Sequence, residues 1–209
     1  MGKMGIFGGT FDPVHWGHLL IAESALCHKK LDQVIWVTNE RPHYKQTVPF
    51  EHRWEMVRMA IADHPAFTIF PKLSVSTPSY AILTLIELQA AYPNTEWYWI
   101  FGLDTFQTLP AWYRRQEIAT ACNWIIAPRL GSSDQNKQDN HLQFTCERVV
   151  QQLAAQSISI KWEILNTPIV GVSSSLIRQY CCNSRSIRYL VPEPVRNYIA
   201  KHNLYSSSQ

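Results

Sequence analysis

The chain has 209 residues and a formal net charge of +3 at pH 7, and this length predicts a single domain over residues 1–209 with a frayed tail at residues 206–209. A hydrophobic fraction of 46% and a charged fraction of 17% exclude a disordered chain, and no run reaches the ~18–20 apolar residues that a membrane helix needs. The sequence pI of about 8.6 allows small anionic ligands, whereas a strong nucleic-acid binder would be more basic.

Six short apolar runs predict buried strands, at residues 4–7, 34–37, 67–70, 97–101, 124–127 and 158–164. Apolar residues at helical spacing lie between these runs, for example Phe50, Trp54, Val57 and Ile61. The polar residues 131–140 predict a loop. Alternating strands and helices predict an α/β fold with a single doubly wound, mostly parallel sheet and a helical C-terminal portion. In such folds ligands bind beyond the carboxyl ends of the strands.

The turn after the first strand has features of a phosphate-binding site. Gly8 and Gly9 follow the strand directly and let a ligand approach the backbone without a Cβ in the way. Gly17 starts the predicted next helix, whose first N–H groups attract anions, and His15 and His18 are spaced to face one anion. Taken singly, these features also suit an ordinary tight turn. The segment is neither a P-loop nor a dinucleotide-binding fingerprint.

Two further segments place ligand-type residues at predicted helix starts. Ser173–Ser175 precede Arg178, so hydroxyl groups and a planar guanidinium could face one phosphate. The alternative is an ordinary N-cap with a solvated arginine. Asp104 follows the fourth strand, where an α/β fold presents ligand residues, but it could equally cap the next helix.

Five segments in chain order resemble the HIGH-type nucleotidylyltransferases, and in particular the bacterial nicotinate mononucleotide adenylyltransferases. These segments are residues 8–18, 101–104, 109–113, 172–178 and 189–205, so the resemblance extends over nearly the whole chain. It implies adenylyl transfer from ATP to nicotinate mononucleotide, giving nicotinate adenine dinucleotide and pyrophosphate in NAD biosynthesis. Mg²⁺ would accompany ATP, because this ion is commonly held by substrate phosphates. We expect no metal-ligating side chains.

The resemblance also implies a role for each candidate residue. The catalytic residues would be His15, His18 and Arg178. The ATP phosphates would be bound by Gly8, Gly9, Thr10, Phe11, Ser173, Ser174, Ser175 and Lys45. The ribose would be bound by Gly102 and Asp104, and the pyridine mononucleotide by Tyr80, Ala81, Trp112 and Tyr113. The attacking phosphate is already anionic, so the site has to align two anions rather than supply a general base.

Two segments depart from the family pattern. Residues 41–45 are Arg-Pro-His-Tyr-Lys where the family usually has Pro-Pro-His-Lys, so either Lys45 or Arg41 could supply the cation for phosphate. Ala81 stands where many relatives have a threonine that helps to bind the nicotinate carboxylate. Nicotinamide mononucleotide as the main or an equal substrate therefore stays an alternative.

Other classes fit the sequence less well. Phosphopantetheine adenylyltransferases share the histidine motif but lack the Trp-Tyr and Pro-Glu-Pro segments, and class I aminoacyl-tRNA synthetases are longer and carry a further lysine-rich loop. A nucleic-acid-binding module without catalysis is the alternative from another class, although core burial explains the 12% aromatic content more simply.

The five cysteines form no Cys-x-x-Cys pair, and no signal peptide is evident, so we expect a cytoplasmic protein without membrane or nucleic-acid partners. A homo-oligomer is compatible with the sequence.

Overall fold

The structure is a computed structural model that describes residues 2–40, 46–71, 80–128 and 135–206, with residues 135–139 described by their backbone alone. Its strands are β1 (Gly2–Gly9), β2 (Gln33–Thr38), β3 (Phe67–Ile69), β4 (Thr95–Gly102), β5 (Asn123–Ala127) and β6 (Lys161–Ile164). Its helices are α1 (Trp16–Lys29), α2 (Phe50–Ala60), α3 (Ala81–Ala91), α4 (Leu103–Phe106), α5 (Arg115–Ala121), α6 (Gln135–Ala154), α7 (Ser174–Cys182) and α8 (Glu193–Lys201), and a short 3-10 helix covers Leu109–Ala111.

The six strands form one sheet in the order β3-β2-β1-β4-β5-β6. Every pair of neighbouring strands in this sheet is parallel. The predicted α/β fold is thereby confirmed. Strand order reverses between β1 and β4, so a crevice is expected beyond the carboxyl ends of these two strands.

Two hydrophobic cores lie on the two faces of the sheet. Phe7 and Trp36 point into the core that α1, α2, α7 and α8 cover. Ile6 and Trp99 belong to the core on the other face, under α3, α5 and α6. This arrangement follows from the alternation of side chains along a strand, and because helices cover both faces, the central strands are apolar on both sides.

Several predicted element boundaries are corrected by the structure. The predicted strand 158–164 pairs only over Lys161–Ile164, while Ile158 lies buried in the core before the ladder begins. Residues 135–140 were expected in a loop but lie in α6, because the buried residues Leu142 and Cys146 anchor the following turns of the same helix. The first helix starts at Trp16 rather than at Gly17.

The remaining differences concern helix caps and the chain end. Asp104 does not cap α4, since Gly102 is the N-cap and Asp104 lies in the first turn. Of the predicted frayed tail, Ser206 is described and residues 207–209 lie outside the described residues. Among the residues that the structure describes, no helix combines the length and the apolar character that a bilayer crossing requires.

Candidate functional site

A cavity of about 290 Å³ opens at the carboxyl ends of the central strands. Gly8 and Gly9 from the end of β1, Gly102 from the end of β4 and Ala127 from the end of β5 all line it. The cavity therefore occupies the crevice that the strand order predicts.

The turn after β1 is shaped by a buried aromatic ring. Phe11 has a φ of 50°, in the left-handed region that non-glycine residues rarely adopt, and only 2% of it is exposed. Its ring centroid lies 5.4 Å from that of Phe7 and 5.3 Å from that of Trp36. A Cβ on Gly9 would come within 2.7 Å of the Phe11 ring, so this close approach requires glycine. The packing of the Phe11 side chain thus helps to determine the shape of the turn.

A buried arginine binds the same turn through a hydrogen bond to a backbone carbonyl group. Arg53, on α2, is 1% exposed. Its guanidinium donates to the carbonyl oxygens of Thr10 (2.8 Å) and Asn39 (2.7 Å), and also to those of Glu40 (3.2 Å) and Val48 (3.1 Å). Burial lowers the pKa of Arg53, and the charge of Asp12 opposes that shift. The side chain joins the turn after β1 to the chain that follows β2.

His15 and His18 lie together at the start of α1, and both line the cavity. Their rings stack with centroids 3.8 Å apart, and the His18 and Phe11 rings are nearly perpendicular with centroids 5.0 Å apart. The backbone N–H of His15 donates to Nδ1 of His18 over 3.3 Å. With Nδ1 as an acceptor, the neutral His18 ring carries its hydrogen on Nε2. Gly17 makes room for this arrangement, because a Cβ there would meet the His15 ring at 3.0 Å.

The three serines before Arg178 have different positions. Ser173 is the N-cap of α7, and its hydroxyl accepts the Leu176 N–H over 3.2 Å. Ser174 and Ser175 line the cavity, whereas Ser173 is not among the lining residues. Ser174 also donates to the carbonyl of Pro13 over 2.9 Å. The capping interpretation therefore describes Ser173, and the other two serines face the candidate site.

Arg178 is bound to the turn after β1 through Asp12. Its Nη1 donates to the Asp12 carbonyl over 2.8 Å and lies 3.7 Å from the Asp12 carboxylate. Its Nη2 donates to the Ser175 hydroxyl over 3.2 Å. The Asp12 carboxylate is 3% exposed and accepts the Tyr205 hydroxyl over 2.7 Å. Burial and this carboxylate raise the pKa of Tyr205 well above its ordinary value, so the phenol stays protonated.

The predicted ribose residues also line the cavity. Gly102 is extended, and a Cβ built on it would meet no heavy atom of the described chain within 4 Å. Asp104 follows in the first turn of α4, with Thr105 beside it in the lining. A carboxylate here can accept hydroxyl groups from a ligand above the open Gly102 surface.

The predicted pyridine-binding residues are near one another but do not line the cavity. The Tyr80 and Tyr113 rings have centroids 4.7 Å apart. The Trp112 ring lies 6.3 Å from Trp99 and donates its indole N–H to the Thr108 hydroxyl over 2.8 Å. Ala81 starts α3 and packs against the same core as Trp112.

Trp99 lies between this aromatic group and the glycine turn. A Cβ built on Gly8 would be 3.4 Å from the Trp99 indole nitrogen. The buried Trp99 side chain of β4 is thus near both halves of the predicted site.

Sequence inspection missed several residues of the site. Gln46, Thr47 and the segment after β6 (Thr167, Pro168, Ile169, Val170 and Val172) also line the cavity. That segment lies outside the helices and strands, so no periodicity marked it. Arg53 had a signal that went unused, since it shares the buried helix face with Val57 and Ala60. Lys45 and Arg41 lie outside the described residues.

Comparison with known proteins shows similarity along the whole chain. A family model described as cytidylyltransferase-like matches residues 6–180. A Trichormus variabilis protein named as a probable nicotinate-nucleotide adenylyltransferase is 54% identical over 207 residues, covering 99% of this chain and 98% of the relative. A Dehalococcoides mccartyi protein of the same name is 37% identical over 210 residues and covers 97% of each chain. The Plasmodium falciparum nicotinic acid mononucleotide adenylyltransferase complexed with NaAD is similar in fold, with a TM-score of 0.73 at 21% identity and 98% coverage of both chains.

Proposed function

Because the chain belongs to the nicotinate-nucleotide adenylyltransferases, within the cytidylyltransferase-like family, we propose that it transfers the adenylyl group of ATP to nicotinate mononucleotide. The phosphate oxygen of the mononucleotide forms a bond to the α-phosphorus of ATP, and the bond between that phosphorus and the bridging oxygen breaks. The products are nicotinate adenine dinucleotide and pyrophosphate. The observation that carries the proposal is the cavity at the β1/β4 crevice, which both histidines, the glycine turn and Arg178 line.

The triphosphate would lie against the donors of the cavity. Backbone N–H groups at Gly8–Thr10, the Nε2–H of His18 and the guanidinium of Arg178 are suited to phosphate oxygens. The ribose would lie over Gly102, where its hydroxyl groups can reach the Asp104 carboxylate.

The chemistry needs positioned donors more than it needs proton transfer. Negative charge builds up on the α-phosphate oxygens and on the leaving pyrophosphate in the transition state. Donors that are already held in place stabilise this charge without reorganising. His18 fits this requirement, because its Nδ1 is bound to the backbone N–H of His15 and its orientation is thereby restricted.

Mg²⁺ enters this proposal as part of the ATP substrate. Within the described ranges, no three His, Cys, Asp or Glu side chains are grouped so that they could hold a metal ion. The Asp12 carboxylate at the cavity is engaged by Arg178 and Tyr205. We propose that the ion is bound through the substrate phosphates, where it offsets their charge.

The acceptor nucleotide would bind beside Tyr80, Ala81, Trp112 and Tyr113. The first N–H groups of α3, starting at Ala81, form the positive end of a helix and favour a carboxylate over a neutral amide. This preference does not need a hydroxyl at position 81. We therefore favour the acid substrate, with the amide as the alternative.

The test is a product assay on the purified chain. With Mg-ATP and nicotinate mononucleotide, we expect equimolar dinucleotide and pyrophosphate, separated by chromatography. Nicotinamide mononucleotide in a parallel assay should give a lower kcat/KM, and an equal or higher value would support the amide alternative. If neither mononucleotide yields a dinucleotide, the proposed reaction is wrong, and binding of short oligonucleotides would then favour the nucleic-acid alternative.

A further inference from the structure

The C-terminal end of the chain reaches the candidate phosphate site. Beyond α8, Leu204 and Tyr205 pack against the core that includes Phe11 and Val14. The Tyr205 hydroxyl donates to Oδ1 of Asp12 over 2.7 Å, across 193 positions of sequence. A residue near the end of the chain thereby contacts the turn after the first strand.

Asp12 connects this tyrosine to the candidate catalytic arginine. Its buried carboxylate must be met by donors, because an unpaired buried charge is costly. Tyr205 supplies one donor at Oδ1, and the Arg178 Nη1 lies 3.7 Å from Oδ2 while it donates to the Asp12 carbonyl. The Asp12 carboxylate is therefore one of the groups that set the orientation of the guanidinium, together with the Asp12 carbonyl and the Ser175 hydroxyl.

We propose that Tyr205 is a positioning residue that acts through Asp12 to keep the Arg178 guanidinium directed at the triphosphate. This inference rests on the proposed adenylyl transfer. Because its Oδ1 is bound by Tyr205, the Asp12 carboxylate stays 3.7 Å from the Arg178 Nη1 and does not form a close ion pair with it. The remaining guanidinium N–H groups can then bind phosphate oxygens in the cavity. Without the Tyr205 hydroxyl, the carboxylate takes a full ion pair with Arg178 and draws it away from the phosphates.

Loss of the Tyr205 hydroxyl should destabilise the transition state more than it weakens the binding of the mononucleotide. Arg178 is expected to meet charge that grows during the reaction, whereas the residues proposed for the pyridine ring lie elsewhere. Loss of the Tyr205 hydroxyl should therefore lower kcat and leave the KM for the mononucleotide nearly unchanged. A purely structural role in anchoring the chain end would instead lower the melting temperature without this selective kinetic change.

The experiment compares two tyrosine-to-phenylalanine variants. Tyr205→Phe keeps the buried ring and removes only the hydroxyl. Tyr198→Phe is the matched control, because its hydroxyl, 2.9 Å from Nδ1 of His52, belongs to the same C-terminal region but does not line the cavity. We expect Tyr205→Phe to lower kcat about tenfold, which converts to about 1.4 kcal/mol, and Tyr198→Phe to change it less than about twofold, an activation difference below about 0.5 kcal/mol.

A second pair of variants tests whether Tyr205 acts through Arg178. In an Arg178→Lys background, Tyr205→Phe should have little further effect on kcat, because the group that it positions has already been replaced. Equal kcat values for wild type and Tyr205→Phe, or a full tenfold effect in the Arg178→Lys background, would overturn the inference. Should Tyr205→Phe fail to fold, Asp12→Asn is used instead. This variant removes the charge that helps to orient Arg178, so kcat should again fall while the KM for the mononucleotide stays nearly unchanged, and an unchanged kcat would overturn the inference.

Binding separates this inference from the proposed function. Calorimetry with a non-hydrolysable ATP analogue should show weaker binding by Tyr205→Phe and unchanged binding by Tyr198→Phe. If wild type forms no dinucleotide but this difference in binding is seen, the reaction is wrong and the positioning role stands. If wild type is active and the two variants match it in both assays, the positioning role is wrong and the reaction stands.

Discussion

Replacement of Arg53 by methionine should destabilise the protein and the glycine turn together. The guanidinium is buried and donates to four backbone carbonyls, those of Thr10, Asn39, Glu40 and Val48. A net contribution of about 0.5–1.5 kcal/mol per hydrogen bond gives roughly 2–6 kcal/mol in all. Burying the charge has a cost that methionine avoids, as the lowered pKa of Arg53 indicates. We therefore expect the free energy of unfolding to fall by about 3 kcal/mol, in the lower half of the range given by the four hydrogen bonds.

The assay is urea unfolding followed by fluorescence, with the free energy of unfolding extrapolated to water. Arg58→Met is the matched control on the same helix, because Arg58 is exposed and pairs with Glu55 through its Nε over 2.8 Å. Surface substitutions of this kind usually change stability by less than about 0.5 kcal/mol. If Arg53→Met costs no more than Arg58→Met, the four hydrogen bonds do not support the turn and the reasoning is refuted.

The remaining predictions address the site and the thiols. His18→Ala should lower kcat roughly 10²–10³-fold, the scale for one positioned donor. An unchanged kcat in steady-state assays would contradict the catalytic role of His18. Trp112→Ala should raise the KM for nicotinate mononucleotide more than the KM for ATP, whereas equal changes in both would indicate a packing role beside Trp99. Burial raises the pKa of Cys122 and of Cys146 to about 12, so the reactive thiolate is scarce at pH 8. Iodoacetamide should therefore label these two cysteines only after unfolding, as judged by mass spectrometry, and rapid labelling of the native protein would contradict their burial.

The central strands were predictable because each is a short apolar run with helices on both faces. Residues 4–7 gave β1, but the strand extends over Gly2–Gly9, since the backbone ladder continues through glycines that carry no apolar signal. The start of α6 was not predicted, because the local sequence there is polar. Its first residues are polar, and they are helical because buried residues further along, such as Leu142, hold the helix on the sheet.

The grouping of the candidate-site residues was predictable where they are neighbours in sequence. Gly8, His15 and His18 lie within one turn and one helix start, so local geometry places them together. Arg53 and Tyr205 reach the same turn across 43 and 193 positions, respectively, and no local pattern reports such contacts. The pyridine-binding roles, the single domain, the cytoplasmic location and the oligomeric state remain predictions.

The long-range contacts explain how a turn rich in carbonyl groups can attract phosphate. Carbonyl oxygens repel anions, and here four of them are each bound by a donor from another element. The acceptors and donors are the Gly9 carbonyl with the Asn39 N–H (2.8 Å), the Thr10 carbonyl with Arg53 (2.8 Å), the Asp12 carbonyl with Arg178 (2.8 Å) and the Pro13 carbonyl with the Ser174 hydroxyl (2.9 Å).

With these oxygens engaged, the partial positive charge of the N–H groups in the turn is less opposed by the negative ends of the same peptide units. Asn39 directly follows β2, Arg53 lies in α2, and Ser174 and Arg178 lie in α7, so three separate parts of the fold hold the turn by hydrogen bonds. Groups held in place in this way are what electrostatic stabilisation of a phosphoryl transition state requires. The sequence motif supplies the groups that would meet ATP, and Arg53 and Tyr205, which are distant in sequence, contact the same turn through the Thr10 carbonyl and the Asp12 carboxylate.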